Sequence, residues 1–279
     1  MANLIWLIAA LLTPLLWLGA RFGGLRDGFG PLEVSLLAGT AIVGSAFLLS
    51  WATELAEEYV PPAFALIVLA LISVLPEYAV DMHFAWMAGI DDTYRAYAVA
   101  NMTGSNRILI GVGWTALVFV QFFRFKKRIL FVDPAQRLEL GFLLLATLYS
   151  LVLPWKGTIS LVDTVVFFGI FGFYVLRSLK VEHTEHPLVG PAAWIEARTN
   201  SPARVAIIVA FLAYACAAIW FSAEPFAEGL VDVGKEFGVD EFILIQLVAP
   251  FASEAPEFIV AILFVLRQRS SSALGVLVS

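Results

Sequence analysis

Two Pro-Glu pairs, Pro76-Glu77 and Pro256-Glu257, lie far apart in the chain, and each falls about midway along a long apolar stretch. A carboxylate at bilayer depth is costly, so it faces a cavity or a partner and marks an ion, proton or substrate path. Proline supplies a second ingredient. It lacks an N–H and clashes with the preceding turn, so carbonyls around Ile72 and Ser73 lose their helical partners, as do those from Gln246 to Ala252 before Pro250 and Pro256. Unpaired carbonyls beside a carboxylate are hard oxygen ligands, suited to Na⁺, Ca²⁺ or a similar cation. A single pair reads equally well as a proline kink with a hydrogen-bonded glutamate; two in matching settings favour one site built twice.

The neighbours of both glutamates are polar. Asp81 stands at i+4 from Glu77 and Glu254 at i−3 from Glu257, each on the same helical face as its glutamate. Four converging carboxylates cannot all ionise without a cation or shared protons. Asp81 also reads as a solvated residue near the outer interface. A third polar cluster runs Asn101-Met102-Thr103-Gly104-Ser105-Asn106-Arg107. Its Gly and Ser allow close helix approach, while Asn and Ser offer oxygen ligands or interhelical hydrogen bonds. Arg107 at midspan needs a carboxylate partner, and Glu77, Asp81, Glu254 and Glu257 are the candidates. His83, alone near a helix end, is expected to be structural rather than a proton relay.

The elements that must position these groups are membrane spans. The 279 residues are 61% hydrophobic and 14% charged, with a mean hydropathy of +0.88, which excludes an ordinary soluble domain. Crossing about 30 Å of hydrocarbon takes roughly 20 apolar residues. Spans are expected at 4–21, 33–57, 61–89, 95–123, 138–153, 158–177, 204–237 and 241–267, with a further apolar stretch from Ala273 that has barely begun. The fold expected is therefore an all-α polytopic membrane protein with about eight to nine helices. No positive residue precedes residues 4–18 and no Ala-Xaa-Ala-like site follows, so the first span is expected to be retained rather than cleaved. Cys216 is the single cysteine and allows no internal disulfide.

Lys and Arg sort unevenly between the loops. One side carries Arg124, Lys126, Lys127, Arg128, Arg137, Arg177, Lys180, Arg198, Arg204, Arg267 and Arg269; the other has only Arg21, Arg26, Arg95, Lys156 and Lys235. By the positive-inside rule the richer side and the N-terminus are cytoplasmic. The Glu77 span then runs outward and the Glu257 span inward. Leu75-Pro76-Glu77-Tyr78-Ala79-Val80 aligns with Ala255-Pro256-Glu257-Phe258-Ile259-Val260, and Leu55-Ala56-Glu57-Glu58-Tyr59 with Val233-Gly234-Lys235-Glu236-Phe237. That is the pattern of an inverted repeat, in which a transporter site forms at the midplane where interrupted helices of two halves meet.

Ala70 to Val80, Gly104-Ser105-Asn106 and Ala249 to Val260 resemble the two alpha repeats of the cation/calcium antiporter superfamily, the sodium/calcium exchanger membrane region. The resemblance covers roughly 33 to 279. It implies an inverted-repeat antiporter fold with broken Pro-Glu helices, exchanging Ca²⁺ or Na⁺ against Na⁺ or H⁺ by alternating access. It makes Glu77 and Glu257 the metal-binding glutamates, with Ser73, Ser253 and Ser105 as matching ligands; Asn106, Asp81 and Glu254 complete the candidate ion-binding set. The domains expected are an extra helix and loop at 1–32, a first five-helix repeat at 33–177, a cytoplasmic linker at 178–203 and an incomplete second repeat at 204–279, so that the chain resembles a C-terminally truncated member.

Departures from the family motif set the coupling ion apart. Val74 and Glu254 stand where the family has a serine, Leu109 replaces an asparagine, and Arg107 replaces an apolar residue. Amide and hydroxyl ligands are lost while carboxylates are gained, which makes proton coupling at least as good a reading as Na⁺ coupling. No cofactor is expected beyond the transported cation. The expected partners are the lipid bilayer and cations, with no nucleic acid, in an integral multi-pass protein of the cell (inner) membrane. An intramembrane hydrolase is disfavoured, since no midspan aspartate pair or activated serine is present. A non-transporting scaffold or degenerate exchanger homologue is the remaining alternative.

Overall fold

The computed structural model describes residues 2–61, 65–132, 136–179 and 188–278, and among them every regular element is helical. The chain opens with α1 (Ala2–Phe22) and α2 (Pro31–Ala56). A π-helical turn, Ala65–Leu69, leads into the short α3 (Ala70–Ser73), and after a single-residue break at Val74 the chain continues as α4 (Leu75–Met87). Next come α5 (Thr93–Asn106), a second π-helical segment Arg107–Gly113, and α6 (Trp114–Phe125). They are followed by α7 (Gln136–Ser150), α8 (Val152–Lys156) and α9 (Leu161–Ser178). After α10 (Gly190–Glu196), α11 (Ser201–Phe237) runs for 37 residues. The last elements are α12 (Glu241–Ser253), α13 (Ala255–Leu266) and α14 (Ser270–Val276).

Six helices among the described residues are long and apolar enough to cross a membrane, and eight spans result if each of two bent pairs counts as one. The bent pairs are Ile67–Ser73 with Leu75–Met87, at 67°, and Glu241–Ser253 with Ala255–Leu266, at 59°. These eight correspond to the eight expected spans, with ends shifted by a few residues. Four spans separate the two bent pairs, so the pairs run in opposite senses. Lipid is the solvent for the outer faces, where Trp155, Leu161, Trp220 and Phe168 are exposed; in water such a belt would be an aggregation surface.

Helix α2 is the axis of the packing. It lies along α11 in the most extensive helix pair among the described residues, and α1 packs against both. Small residues bring these backbones together: a Cβ on Gly229 of α11 would collide with Ser35 of α2, and one on Gly44 of α2 with the Ala10 carbonyl and Thr13 of α1. The shared core holds Trp17, Ile42, Phe84, Phe226 and Leu230, all buried.

Prolines inside three of these helices are accommodated without a break, and in each case a neighbouring helix packs against the carbonyl freed at i−4. Pro225 leaves Phe221 without its helical donor; the Trp17 indole N–H donates to that oxygen at 3.1 Å and the Arg21 guanidinium at 2.8 Å. Pro14 frees Ala10, against which Gly44 packs. Pro250 frees Gln246, and there Gly104 of α5 makes the close approach. Although Pro250 frees a carbonyl, α12 continues through it, and the break comes only at Glu254, ahead of Pro256.

The Phe221 carbonyl gives a direct test. Replacing both donors, as Trp17→Phe with Arg21→Met, leaves it unpaired in the apolar interior and is expected to cost about 1–3 kcal/mol in equilibrium unfolding in mixed micelles. In a Pro225→Ala background the same two changes should cost less, because the alanine introduced there supplies the helical N–H that proline lacks.

Candidate ion-binding site

Both breaks have the same local geometry. Val74 precedes α4 with φ −88° and ψ 8°, and Glu254 precedes α13 with φ −91° and ψ 3°. These values lie in the bridge region, where an α-helix cannot continue straight. The following helix restarts at once: Tyr78 N–H donates to the Val74 carbonyl at 3.1 Å and Phe258 N–H to the Glu254 carbonyl at 3.2 Å. In each case Pro occupies the second helical position, where its missing N–H costs nothing. Glu77 and Glu257 therefore stand in the first turn, beside unpaired backbone N–H groups and at the positive end of the helix dipole. The Glu257 carboxylate accepts a hydrogen bond from its own backbone N–H.

The two breaks meet at one cavity of about 320 Å³. Its wall includes Ser73, Val74 and Glu77 from the first broken span and Glu254, Glu257 and Val260 from the second. Asn106, Leu109 and Ile110 come from the far end of α5 and the π-helical segment after it. Glu254 reaches across from its break toward Glu77, the two carboxyls close enough to share a proton. Glu254 is 5% exposed and its position in the first repeat is held by Val74, so the second half of the site carries an extra carboxyl where the first has a methyl-branched side chain. One oxygen of Glu257, Oε2, is buried without a hydrogen-bond partner among the described residues. Buried polar atoms are nearly always satisfied, and an orphaned carboxylate oxygen facing a cavity suits an ion.

Two further carboxylates line the same cavity, Glu54 and Glu57 at the C-terminal end of α2. Ser50 donates to Glu54 at 3.2 Å. Glu58 turns the other way and pairs with Arg204 at 2.5 Å, tying the end of α2 to the start of α11. Neither Glu54 nor Glu57 was expected in the site. Acidic residues at the end of a span are inexpensive and draw no notice; the available signal was the Ser50-Glu54-Glu57 spacing, which puts all three on one helical face.

The other expected residues separate into three groups. Ser73 and Asn106 line the cavity with the glutamates. Ser105 and Ser253 are buried beside it but not in its wall: Ser253 donates to the Pro250 carbonyl at 3.1 Å, and Ser105 Oγ has no partner. Asp81 lies one turn beyond Glu77, outside the cavity, and accepts from Asn101 Nδ2 at 2.7 Å. Arg107 is the clear correction. It is exposed and makes no salt bridge with any of the four candidate carboxylates among the described residues. Asn106 faces the cavity, and one residue further around the helix, at the start of the π-helical segment, the side chain points away from it. His83 is bound to Glu228 at 2.6 Å, in keeping with a structural role.

Gly104 holds this arrangement together. A Cβ there would collide with the Gln246 carbonyl and press on Pro250, so α5 and α12 can be this close only with glycine. Gly104→Ala is expected to destabilise by about 1–3 kcal/mol and to weaken cation binding, whereas Gly141→Ala, where nothing lies within 4 Å, should be neutral in both assays. Unfolding in mixed micelles and ⁴⁵Ca²⁺ binding read the two effects.

Comparison with known proteins agrees with this geometry. The family described as "Sodium/calcium exchanger protein" matches residues 33–180 and 207–279. A solved structure titled "Crystal Structure of H+/Ca2+ Exchanger CAX" superposes with a TM-score of 0.90 at 42% sequence identity, covering 99% of this chain and 69% of that one. No curated protein sequence matches.

Proposed function

Because this chain belongs to the sodium/calcium exchanger family, a family of transporters rather than enzymes, and is an integral multi-pass membrane protein built on broken helices, we propose that it exchanges Ca²⁺ against H⁺ at the Glu77–Glu254–Glu257 cluster. The observation that carries the reading is the convergence of Glu77, Glu254 and Glu257 on one cavity wall. Carboxyls in mutual contact need their charge matched, by a divalent cation or by protons. The same oxygens serve either, so the two occupants exclude each other, as strict exchange requires. Ca²⁺ takes six to eight oxygen ligands; the glutamates, Ser73, Asn106 and carbonyls at the breaks are suitable donors. The solved relative at 42% identity carries H⁺/Ca²⁺ exchange in its title, which favours protons over Na⁺ as the coupling ion.

In this proposal the cavity is the cytoplasmic vestibule. The Lys and Arg distribution supports a cytoplasmic N-terminus, and α2 would return to that side at Glu54 and Glu57. The exposed Glu57 raises the local cation concentration ahead of the site. Alternating access then closes this vestibule and opens the other face.

Vesicles test both parts. Glu77→Gln and Glu257→Gln should each abolish ⁴⁵Ca²⁺ uptake driven by a pH gradient in the absence of Na⁺; uptake that survives both changes, or that needs Na⁺, would sink the assignment. Glu57→Gln should raise KM for Ca²⁺ by about 3-fold at low salt, leave kcat close to the parent value, and lose most of that difference at high salt, where such steering is screened.

A further inference from the structure

Asp81 belongs to neither the cavity nor the outer surface. It follows Glu77 by four residues, about 6 Å along the helix axis, on the side away from the cavity. Across from it stands Asn101, 1% exposed, whose Nδ2 donates to Asp81 Oδ1 at 2.7 Å. The Oδ1 of that same amide is buried and has no hydrogen-bond partner among the described residues. The orientation is dictated by Asp81: turned over, the amide oxygen would face a carboxylate oxygen. A carboxylate and an unused amide oxygen on neighbouring helices are a pair of hard ligands with a place left over.

The next turn outward is closed. Phe84, fully buried, packs on Tyr94 and Tyr97 with ring centroids 6.3 and 6.0 Å away. Beyond them Glu228 of α11 binds both His83 of α4, at 2.6 Å, and the Tyr94 hydroxyl, at 2.7 Å. The polar pair is thus enclosed between the floor of the cavity and an aromatic layer latched to α11.

We propose that Asp81 and Asn101 form a second cation site, through which a hard divalent cation such as Ca²⁺ passes between Glu77 and the membrane face opposite the cavity. Asn101 is suited to the step because an amide exchanges donor for acceptor by rotating about its last bond. With the site empty, Nδ2–H holds the carboxylate; with a cation present, rotation gives Oδ1 to the ion. The aromatic layer must part for the ion to leave, and the Glu228 links are the contacts that open.

This inference rests on Glu77 and Glu257 being the transport site, and sided measurements keep the two apart. The protein is reconstituted in vesicles sorted by orientation, and ⁴⁵Ca²⁺ exchange is measured with Ca²⁺ varied on one face at a time. In Asp81→Asn, KM from the face opposite the cavity should rise about tenfold or more, while KM from the cavity face stays within about twofold. Asn101→Ala should shift the same constant in the same direction, and Asp81→Glu should restore at least half the parent rate, results that a merely structural hydrogen bond would not give. Parent-like KM on both faces in Asp81→Asn and Asn101→Ala overturns the second site, as does an equal rise on both. Failure of the transport site itself reads differently: Glu77→Gln would then exchange Ca²⁺ as the parent does.

Discussion

A backbone carbonyl has no water to turn to inside a membrane, and this chain repeatedly creates such carbonyls by placing proline in its spans. What happens to each one decides the architecture. Where a neighbour can satisfy or shield the oxygen, the helix runs on: Trp17 and Arg21 donate to Phe221, and glycines approach at Ala10 and Gln246. Where proline falls just inside a restarting helix, at Pro76 and Pro256, the helix breaks instead. The breaks leave free backbone groups and a first-turn glutamate at the same depth. Packing and site thus follow from one constraint resolved in two ways.

The two halves use that solution with unequal side chains. Val74 and Glu254 occupy equivalent places and nearly identical dihedral angles. The valine contributes only to the wall, whereas Glu254 crosses the cavity to Glu77. A site assembled from inverted copies gains an odd carboxyl in this way. Under the proposed exchange of Ca²⁺ for H⁺, cation and protons would match its charge in turn.

Much of this was legible in the sequence. Pro76-Glu77 and Pro256-Glu257 stood out because a carboxylate at midspan has no inexpensive explanation, and the apolar spans around them were long enough to show their depth. Glu254 was found from its spacing alone. Asp81 has the same kind of spacing, but i+4 along α4 leads away from the cavity, and only the direction of the helix after its break shows that. Arg107 was placed among the carboxylates because a midspan charge demands a partner; a π-helical segment begins there, and its side chain turns to the exterior. Glu54 and Glu57 went unnoticed because they lie at a span end, and their entry into the cavity depends on how α2 packs against the broken helices.

The central claim is that Ca²⁺ and protons compete for the same three carboxyls. Its most direct test is proton release on Ca²⁺ binding, measured with the purified protein in weakly buffered detergent solution. The account requires protons to appear in the medium as Ca²⁺ binds, and both binding and release to vanish in Glu77→Gln. Saturable Ca²⁺ binding to the parent protein with no release of protons across the pH range of activity would contradict it.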